Sequence, residues 1–439
     1  MQFSEDELLK RAELPKQLAR YYHRFYKGKI EISLKVPIRN YDDFAIWYTP
    51  GVAEPCLEIR DNEDAVFEYT NRGNTIAIVT DGTRILGLGD IGAAAGLPVM
   101  EGKALLFKYL GGVDAIPICL STKNAAEIIS AVRWISPTFG GINLEDIETP
   151  KCFEILETLR KTLEIPVWHD DQQGTALVTL AALINALKVV GKDLRDVKIA
   201  FIGAGAAGIS CFKYIVKAGA RPRNIVMCDS KGILHPDRDD LSGEKRKVAE
   251  LTSPEKRGGI PEALEGADVC ISMSRPGPGV IKKEWLRRMN DDAISFNCAN
   301  PVPEIWPWEA KEAGVKIVGT GRSDFENQIN NALGFPAVFR GALDVAARKI
   351  TDEMCLAAAH AIAEFAEERG LSESYIIPRL EETEVFIREA VAVGLEAIRQ
   401  GVARRKLSRQ ELEEAAAAKI KRAQEVLKLL MREGFIKPP

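Results

Sequence analysis

A chain of 439 residues, 46% of them hydrophobic and 28% charged, holds enough apolar material for two or three domains of ordinary size. Its 59 Lys and Arg against 63 Asp and Glu leave a formal net charge of −4, which argues against a nucleic-acid-binding surface. No run reaches the roughly 18 uninterrupted apolar residues of a membrane span, and the acidic start MQFSEDELLK does not read as a secretory signal.

Residues 1–60 begin with an amphipathic segment, and Thr49-Pro50-Gly51 marks a turn. TIAIVT (75–80) and RILGLG (84–89) flank an Asp-Gly turn and read as two short strands. EGKALLFKYLGG (101–112) reads as a helix closed by Gly111, with Lys103 in its first turn, and DAIPICL (114–120) as a strand. KNAAEIISAVRWISP is helical. TFGGINLED (138–146) reads as a loop, and a new helix starts after Thr149-Pro150.

From residue 175, TALVTLAALINALKVVG is a helix apolar nearly all round, hence buried. VKIAFI (197–202), NIVMCD (224–229), ADVCISMS (267–274), AISFNCAN (293–300) and VKIVGTG (315–321) are apolar runs bounded by Gly, Pro or Asn. Strands alternating with helices predict an α/β fold, a doubly wound parallel sheet with helices on both faces. Beyond 340 the chain is mostly helical, and Ser408 and Glu411 have the spacing of a capping box opening a Lys/Glu-rich helix.

Eight cysteines lie scattered in apolar runs without a Cys-x-x-Cys pair, the pattern of reduced, packed thiols in a cytoplasmic protein. Four histidines, none paired at metal spacing, leave oxygen as the ligand for any bound metal.

Gly203-Ala204-Gly205-Ala206-Ala207-Gly208 follows a strand and opens a helix, the context that a dinucleotide-binding loop requires. The first glycine allows the tight turn, the second a close approach to pyrophosphate, and the third close helix–strand packing. Asp229 ends the next strand, where an acid can accept both ribose hydroxyls. Gly87-Leu-Gly89-Asp90-Ile-Gly92 repeats the spacing, but Asp90 inside it would repel a phosphate, so it reads as a structural turn. Asp229 favours NAD. Lys245, Arg246 and Lys247 could instead hold a 2′-phosphate, although a solvated basic turn on a helix is the commoner origin of such a run. The choice between NAD and NADP stays open.

Asp170 and Asp171 precede the buried helix, where one could cap it and the other favour its dipole. Glu145 and Asp146 form a second such pair. Four carboxylates at two junctions also suit a hard ion, Mg²⁺ or Mn²⁺. His169 reads as a packed residue rather than a ligand. Lys103 is a surface lysine unless partial burial makes it a base, and Tyr48 is either a turn aromatic or an acid.

YTPGVAEPC (48–56), TDGTRILGLGDIG (80–92), PVMEGKALLFK (98–108), GINLEDI (141–147), HDDQQGTA (169–176), GAGAAG, CDSKG (228–232), NCANPVPEI (297–305) and NQINNALGFPAVFRGAL (327–343) together resemble the malic enzyme family in its short prokaryotic form. The resemblance implies Glu145, Asp146 and Asp171 as metal ligands, with Asp170 a neighbouring acid that assists the proton chemistry. It implies Tyr48 and Lys103 as the acid–base pair, and Arg84, Asn300 and Asn331 as the holders of the substrate's carboxylates. Gly203 through Gly208, Asp229 and Asn300 would bind the dinucleotide. The implied activity is oxidative decarboxylation of L-malate to pyruvate and CO₂ with reduction of NAD or NADP, dependent on a divalent metal. The implied organisation is a malate- and metal-binding domain (1–165), a Rossmann-like domain (166–330), and a helical segment (331–439) that returns to the first. A homodimer or higher homo-oligomer is expected, with no nucleic-acid or membrane partner. Two rival readings are a hydroxy-acid dehydrogenase that does not decarboxylate and a non-catalytic nicotinamide-binding protein.

Overall fold

A computed structural model describes residues 5–252 and 255–439. The first four residues of the segment weighed as a secretory signal lie outside the described residues. Two sheets organise the chain. The first has the order β2-β1-β3-β4, formed by Thr75–Thr80 (β1), Asp114–Cys119 (β2), Gly141–Leu144 (β3) and Val167–His169 (β4), all parallel. Every residue of TIAIVT is buried, as expected of a parallel strand covered on both faces.

The second sheet is built from Ile199–Ile202 (β5), Ile225–Asp229 (β6), Gly232–Ile233 (β7), Val269–Ser272 (β8), Ile294–Asn297 (β9) and Ile317–Thr320 (β10). Its order, β10-β9-β8-β5-β6-β7, is parallel except for the short β7. The chain leaves β5 toward β6 and later returns on the other side to β8. That reversal opens a crevice at the carboxyl end of β5, the usual ligand position in such sheets. The doubly wound α/β architecture is as the sequence predicts.

Three local expectations are corrected. RILGLG is not a strand but a tight turn closed by an Ile85–Gly89 bridge, with Leu86 in the left-handed region at φ 48°. GINL, read as loop, is a fully buried strand. Lys103 is not in the first turn of its helix, because that helix begins at Ala93 and runs through Pro98 to Gly111. The first sheet also extends to His169, past the expected boundary at 165.

The helix Asp170–Val190 is long and apolar enough to cross a membrane by length and composition, yet it is mostly buried. It lies against the helices Ala206–Lys217 and Asp352–Glu368 and so joins the two sheets' layers. Asn185 within it donates to the carbonyls of Ala363 and Ile376, both at 2.9 Å. The C-terminal helices Phe335–Asp344 and Arg409–Arg432 pack back on the Ala93 helix. Arg340, fully buried, donates to Asn74 Oδ1 at 2.6 Å and pairs with Asp344 at 2.9 Å.

Candidate active site

The site begins with two strand ends. β3 runs straight into Glu145 and Asp146, and β4 into Asp170 and Asp171 at the start of the next helix. Because β3 and β4 are paired in parallel, their ends deliver both acid pairs to one place. Asp146 takes a left-handed backbone (φ 53°), which an Asp tolerates, and its carbonyl accepts the Arg84 amide at 3.0 Å. Oxygens of Glu145, Asp146 and Asp171 lie within 4.8 Å of one another.

Neither aspartate caps the helix with its side chain, so the capping explanation for that pair fails. Asp171 faces the acid cluster. Asp170 is fully buried and turned the other way, accepting from Trp168 Nε1 (3.1 Å), Asn331 Nδ2 (2.5 Å) and Lys103 Nζ (2.5 Å). The carboxylate folds over Gly174, where an added Cβ would fall 2.1 Å from its Oδ1. Lys103 also reaches Glu145 Oε1 at 3.0 Å and stands 4.1 Å from the centre of the Phe335 ring.

Crowding sets the electrostatics. Burial and the neighbouring Asp171 push Asp146 up to about 8. Burial also raises Glu145 well above the carboxylate range, against the pull of Lys103. Asp146 Oδ2 is buried without a hydrogen-bond partner. A cluster of hard oxygens with an unsatisfied buried atom fits Mg²⁺ or Mn²⁺, which would remove the mutual repulsion. Burial works against the charge on Lys103, but Asp170 and Glu145 outweigh it and hold the pKa above that of a free lysine. The expectation of a lysine made neutral by burial alone is therefore corrected.

A cleft of about 670 Å³ opens beside this cluster, lined among others by Arg84, Lys103, Glu145, Asp146, Asp171, Asn300 and Asn331. Gly205, Ala206 and Ala207 of the glycine loop line the same cleft. Gly203 (φ 120°) packs so tightly that a Cβ would meet Met273 O at 2.4 Å, and one at Gly208 would meet Gly203 O at 2.1 Å. Gly205 has open space where its Cβ would be, on the side that a pyrophosphate would approach. Ala204 is buried, and the Ala206 helix starts at the loop with no side-chain cap, its amides left for an anion. The second glycine motif, around Gly87, is the structural turn that the sequence implied.

Asp229 ends β6 as expected, but it is not free. Arg238 grips it at 2.9 and 3.1 Å, and Lys245 reaches it at 2.9 Å. Arg246 bonds the carbonyls of Pro236 and Arg238, while Lys247 pairs with Glu244. The three consecutive basic residues thus do three different things.

Tyr48 is not brought to the cleft, and Asp229 is not among the residues that line it either. Tyr48 follows the five-residue helix Asp43–Trp47, of which only Asp43 is buried, and is 72% exposed. Within one chain Tyr48 therefore does not pair with Lys103, a correction that follows from how little of this segment packs on the body. His169 is fully buried outside the acid cluster, as a packed residue. Sequence reasoning missed Arg238, Trp168 and Glu304. Glu304 is buried and accepts from the amides of Ser274 (2.9 Å) and Ala299 (3.1 Å), bracing the two loops beside Asn300. Only Glu304 had a signal, since it lies inside the NCANPVPEI motif.

Comparison with known proteins agrees with this geometry. Residues 27–160 match the model of the malic enzyme N-terminal domain, and residues 172–301 and 315–398 that of the malic enzyme NAD binding domain. The NAD-dependent malic enzyme of Geobacillus stearothermophilus is 50% identical over 86% of this chain and 78% of its own. The NADP-dependent malic enzyme of Halomonas elongata is 43% identical over 88% of this chain and 94% of its own. The crystal structure of Entamoeba histolytica malic enzyme superposes with a TM-score of 0.96 at 50% identity, covering 100% of this chain and 93% of that one. With two family models spanning most of its length and a cleft that joins three carboxylates to a dinucleotide loop, the chain belongs to the malic enzyme family.

Proposed function

We propose that the cleft carries out both halves of the family's reaction on one bound malate, with Lys103 as the base and Glu145, Asp146 and Asp171 as metal ligands. As a member of that family the chain oxidatively decarboxylates malate to pyruvate and CO₂ while NAD or NADP is reduced. The observation that carries the assignment of roles is the meeting of Lys103, the acid cluster and the glycine loop in one cleft.

Arg84 and Asn300, both exposed to the cleft, hold the substrate's carboxylates and fix which face of C2 meets the nicotinamide. Lys103 Nζ takes the proton of the C2 hydroxyl as the C2 hydride leaves for the dinucleotide. Glu145, Asp146 and Asp171 would hold a divalent ion, which would supply Lewis-acid chemistry for the decarboxylation. Asp170 first and Glu145 second keep Lys103 protonated, and Glu145 is also one of the carboxylates that such an ion would neutralise, so base and metal site are coupled through Glu145. Asp170, hydrogen-bonded to Lys103 and Asn331, is a positioning residue that aims both. After CO₂ departs, C3 needs a proton, and Tyr48 is its donor.

Since Tyr48 lies away from the cleft of its own chain, the working unit is at least a homodimer in which the partner subunit's Tyr48 completes the site. The apolar side chains exposed between residues 21 and 48, such as Ile32, Leu34 and Tyr41, support such an interface. The domains are discontinuous, with residues after about 330 returning to the N-terminal part. Eight free thiols support a cytoplasmic location.

The test is product analysis with L-malate, NAD⁺ or NADP⁺, and Mn²⁺ or a chelator. Pyruvate in step with reduced cofactor, lost on chelation, is expected. Oxaloacetate without pyruvate would make the acid cluster structural and the protein an ordinary dehydrogenase.

A further inference from the structure

The acid expected to receive the adenine ribose is already fully engaged. Gly203 N donates to Cys228 O at 2.9 Å, which pins the glycine loop against the end of β6 and places Asp229 beside it. Asp229 Oδ1 accepts from Arg238 Nη1 (2.9 Å) and the Lys231 amide (2.9 Å), and Oδ2 from Arg238 Nη2 (3.1 Å) and Lys245 Nζ (2.9 Å). A carboxylate offers about four lone-pair sites, so none is left for a pair of ribose hydroxyls. Although burial opposes it, the bonds from Arg238 and Lys245 keep the Asp229 carboxyl below its ordinary pKa, so it is a fixed anion.

The basic side chains around it are held in place. Arg238 and Lys231 share Asp240, and Arg246 clasps the carbonyls of Pro236 and Arg238. Arg238 is 10% exposed and held flat by Asp229 on one side and Asp240 on the other, while Lys245 is 39% exposed and open to a ligand. The clasp by Arg246 fixes the turn that carries Arg238 before any ligand arrives. A pre-oriented guanidinium and a half-exposed ammonium at the ribose end of a dinucleotide loop, beside a carboxylate with no acceptor site left, match a doubly charged phosphate better than two hydroxyls.

We propose that Arg238 and Lys245 form a recognition site for the 2′-phosphate of the dinucleotide, which makes NADP⁺ the preferred oxidant of this chain. Asp229 then serves as the counter-ion that orients Arg238, not as the acceptor of ribose hydroxyls. The proposal rests on reading GAGAAG as the dinucleotide loop, and the experiment separates the two. Binding of 2′,5′-ADP and of 5′-AMP is measured by calorimetry on the full-length protein without malate or metal, so no turnover is needed. The 2′,5′-ADP is expected to bind at least about tenfold tighter than 5′-AMP. Arg238→Gln and Lys245→Gln should each reduce that ratio, and the double variant should bring it close to one while 5′-AMP still binds. Lys245→Gln, at a half-exposed side chain, guards against a folding defect in Arg238→Gln. Equal binding of the two fragments by the unmodified protein, or a ratio unmoved in the double variant, overturns the proposal and leaves the loop reading standing. Failure of both fragments to bind overturns the loop reading and the proposal with it. In turnover with malate and Mn²⁺, the ratio of KM for NAD⁺ to KM for NADP⁺ should fall in the double variant by the same factor as the fragment ratio.

Discussion

Lys103 is carried into the interior by a helix whose other inward residues are apolar, and two carboxylates and the face of the Phe335 ring compensate its charge there. Removing it should therefore act twice. Lys103→Ala leaves Asp170 and Glu145 buried without their cation, at about 3–5 kcal/mol of stability in the metal-free protein, read by thermal melting. It should also cut malate oxidation by roughly 100- to 10,000-fold while NADPH binding, followed by fluorescence, persists. Near-normal turnover would remove Lys103 from the chemistry. Asp171 makes a different prediction, because it faces the acid cluster and not the lysine. Asp171→Asn should weaken Mn²⁺ binding by more than the roughly 10- to 100-fold typical of a residue behind the ligands, measured by calorimetry. Unchanged affinity would leave Glu145 and Asp146 without their third partner. The four acids were legible in the sequence as two pairs, but which of them meet was legible only through the resemblance. Asp170 and Asp171 are adjacent, yet one backs the lysine and the other joins the cluster, a split set by the first turn of a helix.

At the scale of elements, most apolar runs were read correctly, and two glycine-bearing stretches, GINL and RILGLG, were not. TIAIVT and the apolar helix after 175 carry enough residues for their pattern to be unambiguous. GINL has only four residues between a glycine and an acid pair, too few for a period to register, though pairing on both sides makes it a strand. RILGLG has the composition of a strand, but left-handed Leu86 and Gly89 close it into a turn. Burial of polar groups was equally invisible. Glu389, on the helix Glu384–Arg399, is fully buried, and neither carboxyl oxygen has a hydrogen-bond partner among the described residues. Burial alone raises its pKa well above that of a free glutamate. Below the ordinary glutamate pKa both folded and unfolded states are protonated, and the folded state carries no penalty. As pH rises the unfolded chain ionises first, so stability falls until pH passes the raised folded value. Glu389→Met removes that loss. Its melting temperature should exceed that of the unmodified protein at about pH 8, by the equivalent of about 1–3 kcal/mol, and the gain should shrink at about pH 5. A constant gain at both values would mean that Glu389 does not titrate on unfolding.

At the scale of the molecule, the motif order revealed which parts cooperate, but no pattern in the sequence reports what a single chain lacks. The C-terminal return was legible only through the resemblance. Its physical basis is a set of long-range bonds, such as Arg340 to Asn74 and Tyr26 to the carbonyl of Lys437, that connect residues hundreds of positions apart. Tyr48 is the reverse case, a motif residue left on the surface among exposed Tyr41, Phe44, Ile46 and Trp47. If a second copy covers that face and supplies the tyrosine, each cleft draws Lys103 from one subunit and Tyr48 from the other. Tyr48→Phe and Lys103→Ala would then be inactive alone but complementary when mixed. In a dimer carrying one copy of each variant, one cleft has both defects and the other has neither. Random exchange between equal amounts of the two variants makes half of the dimers mixed, so about a quarter of the original activity should return. Light scattering should report the dimer throughout, and recovered activity should follow the rate of subunit exchange. A mixture that stays inactive after exchange is complete would place Tyr48 in its own chain's service and require the segment around it to fold back over the cleft.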